Sequence, residues 1–140
     1  MSDSELKSRV IYLHDALRKL SDLRKTTRKE FLSDYRISDA ALRNLQLVIE
    51  SLTDIGNYIL KRGGHKIPET RVEVFELLCR NAYLDPQLEQ NLVLMSRFRN
   101  LLVHGYAAID LAQVYTILQS RFDLLKQVAT KLIEVSESFR

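Results

Sequence analysis

Disulfides, metal clusters, phosphate loops and membrane spans all lack the residues they would need in this chain of 140 residues. It has one cysteine, Cys79, so there is no disulfide framework and no cysteine-rich metal site, and a reducing compartment is the natural setting. Its three histidines, His14, His65 and His104, are too scattered for a zinc site. Gly63-Gly64 is not followed by Lys-Ser/Thr, so no glycine-rich phosphate loop is present. No apolar run approaches the roughly 18 residues of a membrane span. The polar, acidic start Met1-Ser2-Asp3-Ser4-Glu5 does not read as a secretory signal. The expectation is a cytoplasmic domain that binds no membrane and needs no metal. Neither charge sign dominates: the formal net charge is +3, which permits a nucleic-acid partner without demonstrating one.

Two prolines and four glycines leave little punctuation, and the apolar periodicity that remains is helical throughout. A first helix is predicted from Asp3 to Leu23, with Leu6, Val10, Leu13, Leu17 and Leu20 on one stripe. A basic connection, Arg24 to Lys29, and a short apolar piece at Phe31-Leu32 follow. Ser38 reads as the N-cap of a second long helix that continues to Lys61 and ends at Gly63-Gly64. A shorter helix covers Glu69 to Arg80. Asp85-Pro86, a capping residue and a proline at the first helical position, opens a helix that Gly105 is placed to terminate. Asp110 then caps a last long helix. The fold class is all-α: an up-and-down bundle of four long helices plus one or two short ones, one domain over residues 1–140.

The segment Arg99-Asn100-Leu101-Leu102-Val103-His104-Gly105-Tyr106 puts polar chemistry where a core seam should run. At about 100° per residue, Leu88, Leu92, Met95 and Leu102 form one stripe, and Arg99 falls inside it. A guanidinium there needs a carboxylate, an anionic ligand or a wet cleft, because burial without a partner costs several kcal/mol, roughly. Glu50 and Asp54 on the second long helix are candidate partners. His104 lies about 140° around the axis from Arg99, so the two share a face only if the helix ends and His104 swings round, or if two subunits supply them to one cleft. Either way His104 stands at a helix C-terminus, where histidine can act as general base or acid. Arginine adds a permanent planar fork for phosphate oxygens.

Arg-Asn, then four residues to His-Gly-Tyr, with Ile109-Asp110 opening the next helix, resembles the Arg-x4–6-His motif of the HEPN ribonuclease superfamily. The fuller Arg-x4-His-x-Tyr form is similar to its HepT toxin family. The likeness extends through Leu42 to Glu50 and the Pro68, Phe75 and Leu77-Leu78 stretch, covering roughly residues 5 to 135. The resemblance implies a HEPN-like fold and a metal-independent endoribonuclease, the toxin of a type II toxin–antitoxin system, that dimerises so that both motifs face one cleft. By the same resemblance, Arg99 and His104 match the catalytic pair, and Asn100 the polar residue beside it, touching RNA or supporting the pair. Tyr106 matches the tyrosine that an MntA-like minimal nucleotidyltransferase antitoxin modifies with AMP. No cofactor is implied, ATP entering only as the partner's AMP donor.

Lesser features fit structural roles. His14 lies off the main stripe of the first helix, at the surface. His65, beside Arg62 and Lys66, belongs to a loop that could touch RNA but reads first as solvated. Arg24, Lys25, Arg28 and Lys29 could track a phosphate backbone, although most such runs are solvated faces. Two other readings remain open at this level. One is a non-catalytic helical subunit that binds a nucleotidyltransferase and positions its nucleotide or substrate; the other is a dimerisation module with a buried ion pair at Arg99.

Overall fold

The computed structural model describes residues 1–140 with the exception of the Tyr106 side chain. Six α-helices follow in order: α1 (Asp3–Leu23), α2 (Arg28–Ser33), α3 (Tyr35–Arg62), α4 (Arg71–Arg80), α5 (Glu89–His104) and α6 (Leu111–Glu137). Short 3-10 turns at Pro86–Leu88 and Tyr106–Ala108 bracket α5. No strand occurs among the described residues, and none of their helices is long and apolar enough to cross a membrane. The all-α bundle of four long helices and two short ones is as expected from the periodicity.

Every helix but α5 starts where a side chain can accept from its unpaired first-turn amides; α5 has no side-chain cap and continues the 3-10 turn that Asp85 caps. Ser2 and Glu5 form a reciprocal capping box on α1, and Thr27 and Glu30 form another on α2. Asp34, Thr70 and Asp110 accept from Arg36, Glu73 and Ala112 to cap α3, α4 and α6. The second box makes the supposed basic connection end in a helix, one turn and a half long, that drives Phe31 into the core with no exposed surface. It also moves the start of α3 forward. Asp34 rather than Ser38 is its cap, and Ser38 is buried within the helix. Asp34 ends α2 and begins α3, so the chain turns there without a linker.

α3 is the axis of the molecule. One side packs against α1, α2 and α6, the other against α4 and α5, and neither α4 nor α5 packs on α1 or α6. Leu13, Leu20, Leu52, Ile55, Ile59, Leu118 and Leu132 have no exposed surface. Burial on that scale, about 1.5–3 kcal/mol per large apolar side chain, holds the α1–α3–α6 stack. On the other side a single residue sets how closely α4 approaches. A Cβ at Gly56 would lie 2.8 Å from both Val74 Cγ1 and Leu78 Cδ1, so any larger residue would force these α4 side chains to shift. Gly64, at φ +73°, supplies the left-handed turn that closes α3, with the His65 amide donating back to Leu60 O at 3.0 Å.

Candidate functional site

α5 carries the motif, and its two ends have opposite environments. Leu92, Met95, Arg99 and Leu102 of the predicted stripe are buried, and Ser96 with them, but Leu88 is half-buried in the 3-10 turn before α5; His104 in the last turn is exposed. The helix continues unbroken through His104, so the histidine does not swing round toward Arg99. Gly105 ends the helix, its amide donating to Leu101 O at 2.8 Å, but at φ −122° it uses no left-handed freedom. Its lack of a Cβ matters for packing instead, since one would meet Leu101 Cδ1 at 2.6 Å.

Arg99 has found a carboxylate. Its Nε and Nη2 donate to Glu50 Oε1 at 3.0 and 2.6 Å, and its Nη1 donates to Asn100 Oδ1 at 3.3 Å. Gln46 Nε2 donates to the same Glu50 oxygen at 3.0 Å. Side-chain exposure is 8% for Arg99 and 23% for Glu50, so the pair is largely withdrawn from water. Burial alone would raise the Glu50 carboxyl, but the hydrogen bonds from Gln46 and Arg99 and the charges of Arg99 and Arg43 outweigh it and hold the group below 4.5. Asp54, one turn further along α3, goes the other way. Burial pushes its carboxyl above the usual value despite the Arg9 guanidinium 3.1 Å away. Of the two carboxylates the sequence offered to Arg99, Glu50 takes it and Asp54 is held by α1.

Asn100 and His104, four residues apart and about 40° around the axis, share one face of α5. That face opens on a cleft of about 620 Å³ between α3, α5 and the entry to α4. Thr53, Asp54 and Asn57 form the α3 wall; Pro68, Glu69, Thr70 and Arg71 face them. Arg99 does not line this cleft; it stands behind Asn100, whose oxygen it holds. Within one subunit the structure therefore brings Asn100 and His104 together and sets Arg99 behind them. The motif tyrosine, Tyr106, follows in the 3-10 turn, and its side chain lies outside the described residues. No group of three or more potential metal ligands is present among the described residues.

Other sequence candidates fall elsewhere. His65 is half-buried, its Nε2 2.7 Å from Tyr83 Oη, and so is a structural tether rather than a solvated loop residue. His14 is exposed on α1. Arg24 sits 4.6 Å from the Phe122 ring centroid and donates to Gln119 O and Asp123, tying α1 to α6. Cys79 is buried, and desolvation pushes its thiol up to about 11, which removes it as a nucleophile. Arg71 was missed by sequence reasoning. Its position at the start of a short helix carries no motif, and only the docking of α4 on α3 brings it to the cleft.

A bundle of this architecture with a polar cleft at the end of one helix is the HEPN type of fold. Residues 13–132 match the HepT-like ribonuclease family. The mRNA nuclease HepT of Shewanella oneidensis is 31% identical over 98 residues, 70% of this chain and 74% of that protein. The tRNA nuclease HepT of Aphanizomenon flos-aquae is 30% identical over 112 residues, 77% and 76% of the two chains. The tri-AMPylated Shewanella oneidensis HEPN toxin, solved in complex with its MNT antitoxin, superposes with a TM-score of 0.83 at 25% identity. That match covers 96% of this chain and 98% of the toxin. The chain belongs to the HepT-like ribonuclease family.

Proposed function

We propose that this chain is the toxin of a type II toxin–antitoxin pair: an endoribonuclease that needs no metal and that a nucleotidyltransferase antitoxin silences. The observation that carries this reading is the cleft of a HepT-like chain with His104 exposed at its edge and the Asn100 amide beside it. The names of the relatives, nucleases and a toxin bound to an antitoxin, support the same class.

The chemistry follows from what these groups can do. The 2′-oxygen of a ribose attacks the adjacent phosphorus while His104 takes the hydroxyl proton. The bond from phosphorus to the 5′-oxygen breaks, and the leaving oxygen takes a proton from His104 of the partner subunit. The products are a 2′,3′-cyclic phosphate and a 5′-hydroxyl, and the need for the 2′-hydroxyl confines the reaction to RNA. Arg99 works through its neighbour. By donating to Asn100 Oδ1 it turns the amide nitrogen outward as a fixed donor for a phosphate oxygen, and its own charge stays close behind.

A second copy is needed because one chain carries one His104. The flank of α5 that faces no other helix suits such a partner: Leu94 and Leu101 are 46% and 37% exposed on it, with half-buried Phe98 between them. An apolar face of this kind at the edge of a bundle supports a twofold homodimer. At Tyr106, two residues beyond His104 in the sequence, AMP transfer from ATP by the partner antitoxin would add a bulky anion that repels substrate phosphate.

Incubation of the purified protein with labelled RNA in EDTA tests this reading. Cleavage that persists, with cyclic phosphate ends, supports it. Binding without cleavage makes the chain a non-catalytic partner of the nucleotidyltransferase, and neither outcome leaves a dimerisation module built on the Arg99–Glu50 pair. With the antitoxin and ATP, intact mass should rise by AMP units, and Tyr106→Phe should escape silencing.

A further inference from the structure

One arginine lines the cleft and another stands behind it, and they differ in how their donors are engaged. Arg99 is buried, and its fork is taken by Glu50 and Asn100. Arg71 is exposed, lines the cleft opposite Asn100 and His104, and makes no hydrogen bond or ion pair among the described residues. Its position adds a second donor set. Arg71 is the first residue of α4; the Thr70 hydroxyl caps Glu73 N at 3.1 Å, which leaves the amides of Arg71 and Val72 without a partner in the helix. A ten-residue helix thus presents amide donors and its positive end where a free guanidinium already stands. Of the carboxylates in the cleft, Asp54 is paired with Arg9 at 3.1 Å and also feels the charge of Arg71 without bonding to it, and Glu69 lies within the field of Lys66. The exposed Asn57 and the Asn100 side chain also line this cleft of about 620 Å³, the size of a small-ligand site.

We propose that Arg71, with the start of α4, is the phosphate anchor of this cleft, holding a phosphodiester of single-stranded RNA beside the motif of α5. The inference rests on the nuclease reading above and assigns the substrate contact within it. Binding to a fluorescein-labelled single-stranded RNA oligonucleotide, measured on the His104→Ala protein so that nothing is cut, tests the assignment. Adding Arg71→Gln should weaken binding about tenfold and lower the slope of log Kd against log salt by about 0.7, the signature of one lost phosphate contact. Arg71→Lys should recover part of the affinity and all of the slope, because the charge is kept and the fork is lost. In the cleaving protein Arg71→Gln should raise KM far more than it lowers kcat. Lys131→Gln, exposed on α6 and outside the cleft, is the control for unspecific charge and should leave the slope near that of the parent. Unchanged affinity and slope in Arg71→Gln, with RNA bound and cut normally by the unmodified chain, would overturn the assignment of Arg71 and leave the nuclease reading standing. Absence of RNA binding by the unmodified chain would overturn both.

Discussion

The two sides of α3 are built from the same helix but by different rules. Toward α1 and α6 it buries mainly aliphatic residues, with the Tyr58 hydroxyl donating to Asp3 of α1 as a polar exception. Along its other edge it carries Gln46, Glu50, Asp54 and Asn57 at three- and four-residue spacing: Glu50 meets Gln46 and Arg99 of α5, Asp54 reaches back to Arg9 of α1, and Asn57 lines the cleft. The first side is held by area and tolerates neighbours of any shape that fill it. The second depends on specific partners, and its outer part is left unfilled as the cleft. Stability concentrates on one side and chemistry on the other, so changes on the two should be separable.

The largest effect should come from His104→Ala. Cleavage should fall by roughly 10²–10⁴-fold, the usual worth of a general acid–base group, while the unfolding midpoint stays put, because the side chain is exposed. A large drop in thermal stability would mean that the exposed end of α5 is structural after all. Leu132→Ala on α6 should do the reverse. Removing a side chain with no exposed surface should cost about 3 kcal/mol in urea unfolding, with kcat unchanged at temperatures where the protein stays folded.

Glu50→Ala joins the two sides, since it should lose both stability and activity. A buried Arg99 left without its carboxylate costs about 2–3 kcal/mol, and Asn100 loses the support that orients it. Full activity in this variant would break the claim that Arg99 acts through a fixed geometry. The smallest effects concern pH. The folded Glu50 carboxyl is held below 4.5, so its contribution is present above that value and lost as pH falls through the lower folded one. Asp54 is raised from 3.8, so its contribution is present below that value and lost as pH rises through the folded one. Glu50→Gln should therefore flatten the acid limb of a stability–pH curve. Asp54→Asn should leave neutral-pH stability equal to or slightly above that of the parent. A clear loss there would show that the Arg9 pair outweighs burial.

Helix identity was legible in the chain because capping and 3.6-residue periodicity are local. The first helix, Asp3 to Leu23, was readable to its last residue. The start of α3 was not, because Ser38 and Asp34 are equally good caps in isolation, and Phe31 packing decides between them. The burial of Arg99 and the exposed helix-end place of His104 also followed from position on the helix, and the need of Arg99 for a carboxylate followed from the cost of burying charge. Which carboxylate, Glu50 or Asp54, was left open by the sequence. The answer depends on the rotation and height at which α5 lies on α3, set by side chains some fifty positions apart. The same holds for Arg71, which no motif marks. It reaches the cleft because Gly56 lets α4 approach α3 so closely. Periodicity specifies which face of a helix is turned inward; only the packed tertiary structure specifies what that face and its opposite meet, because helix rotation and spacing are set jointly by every side chain at the contact.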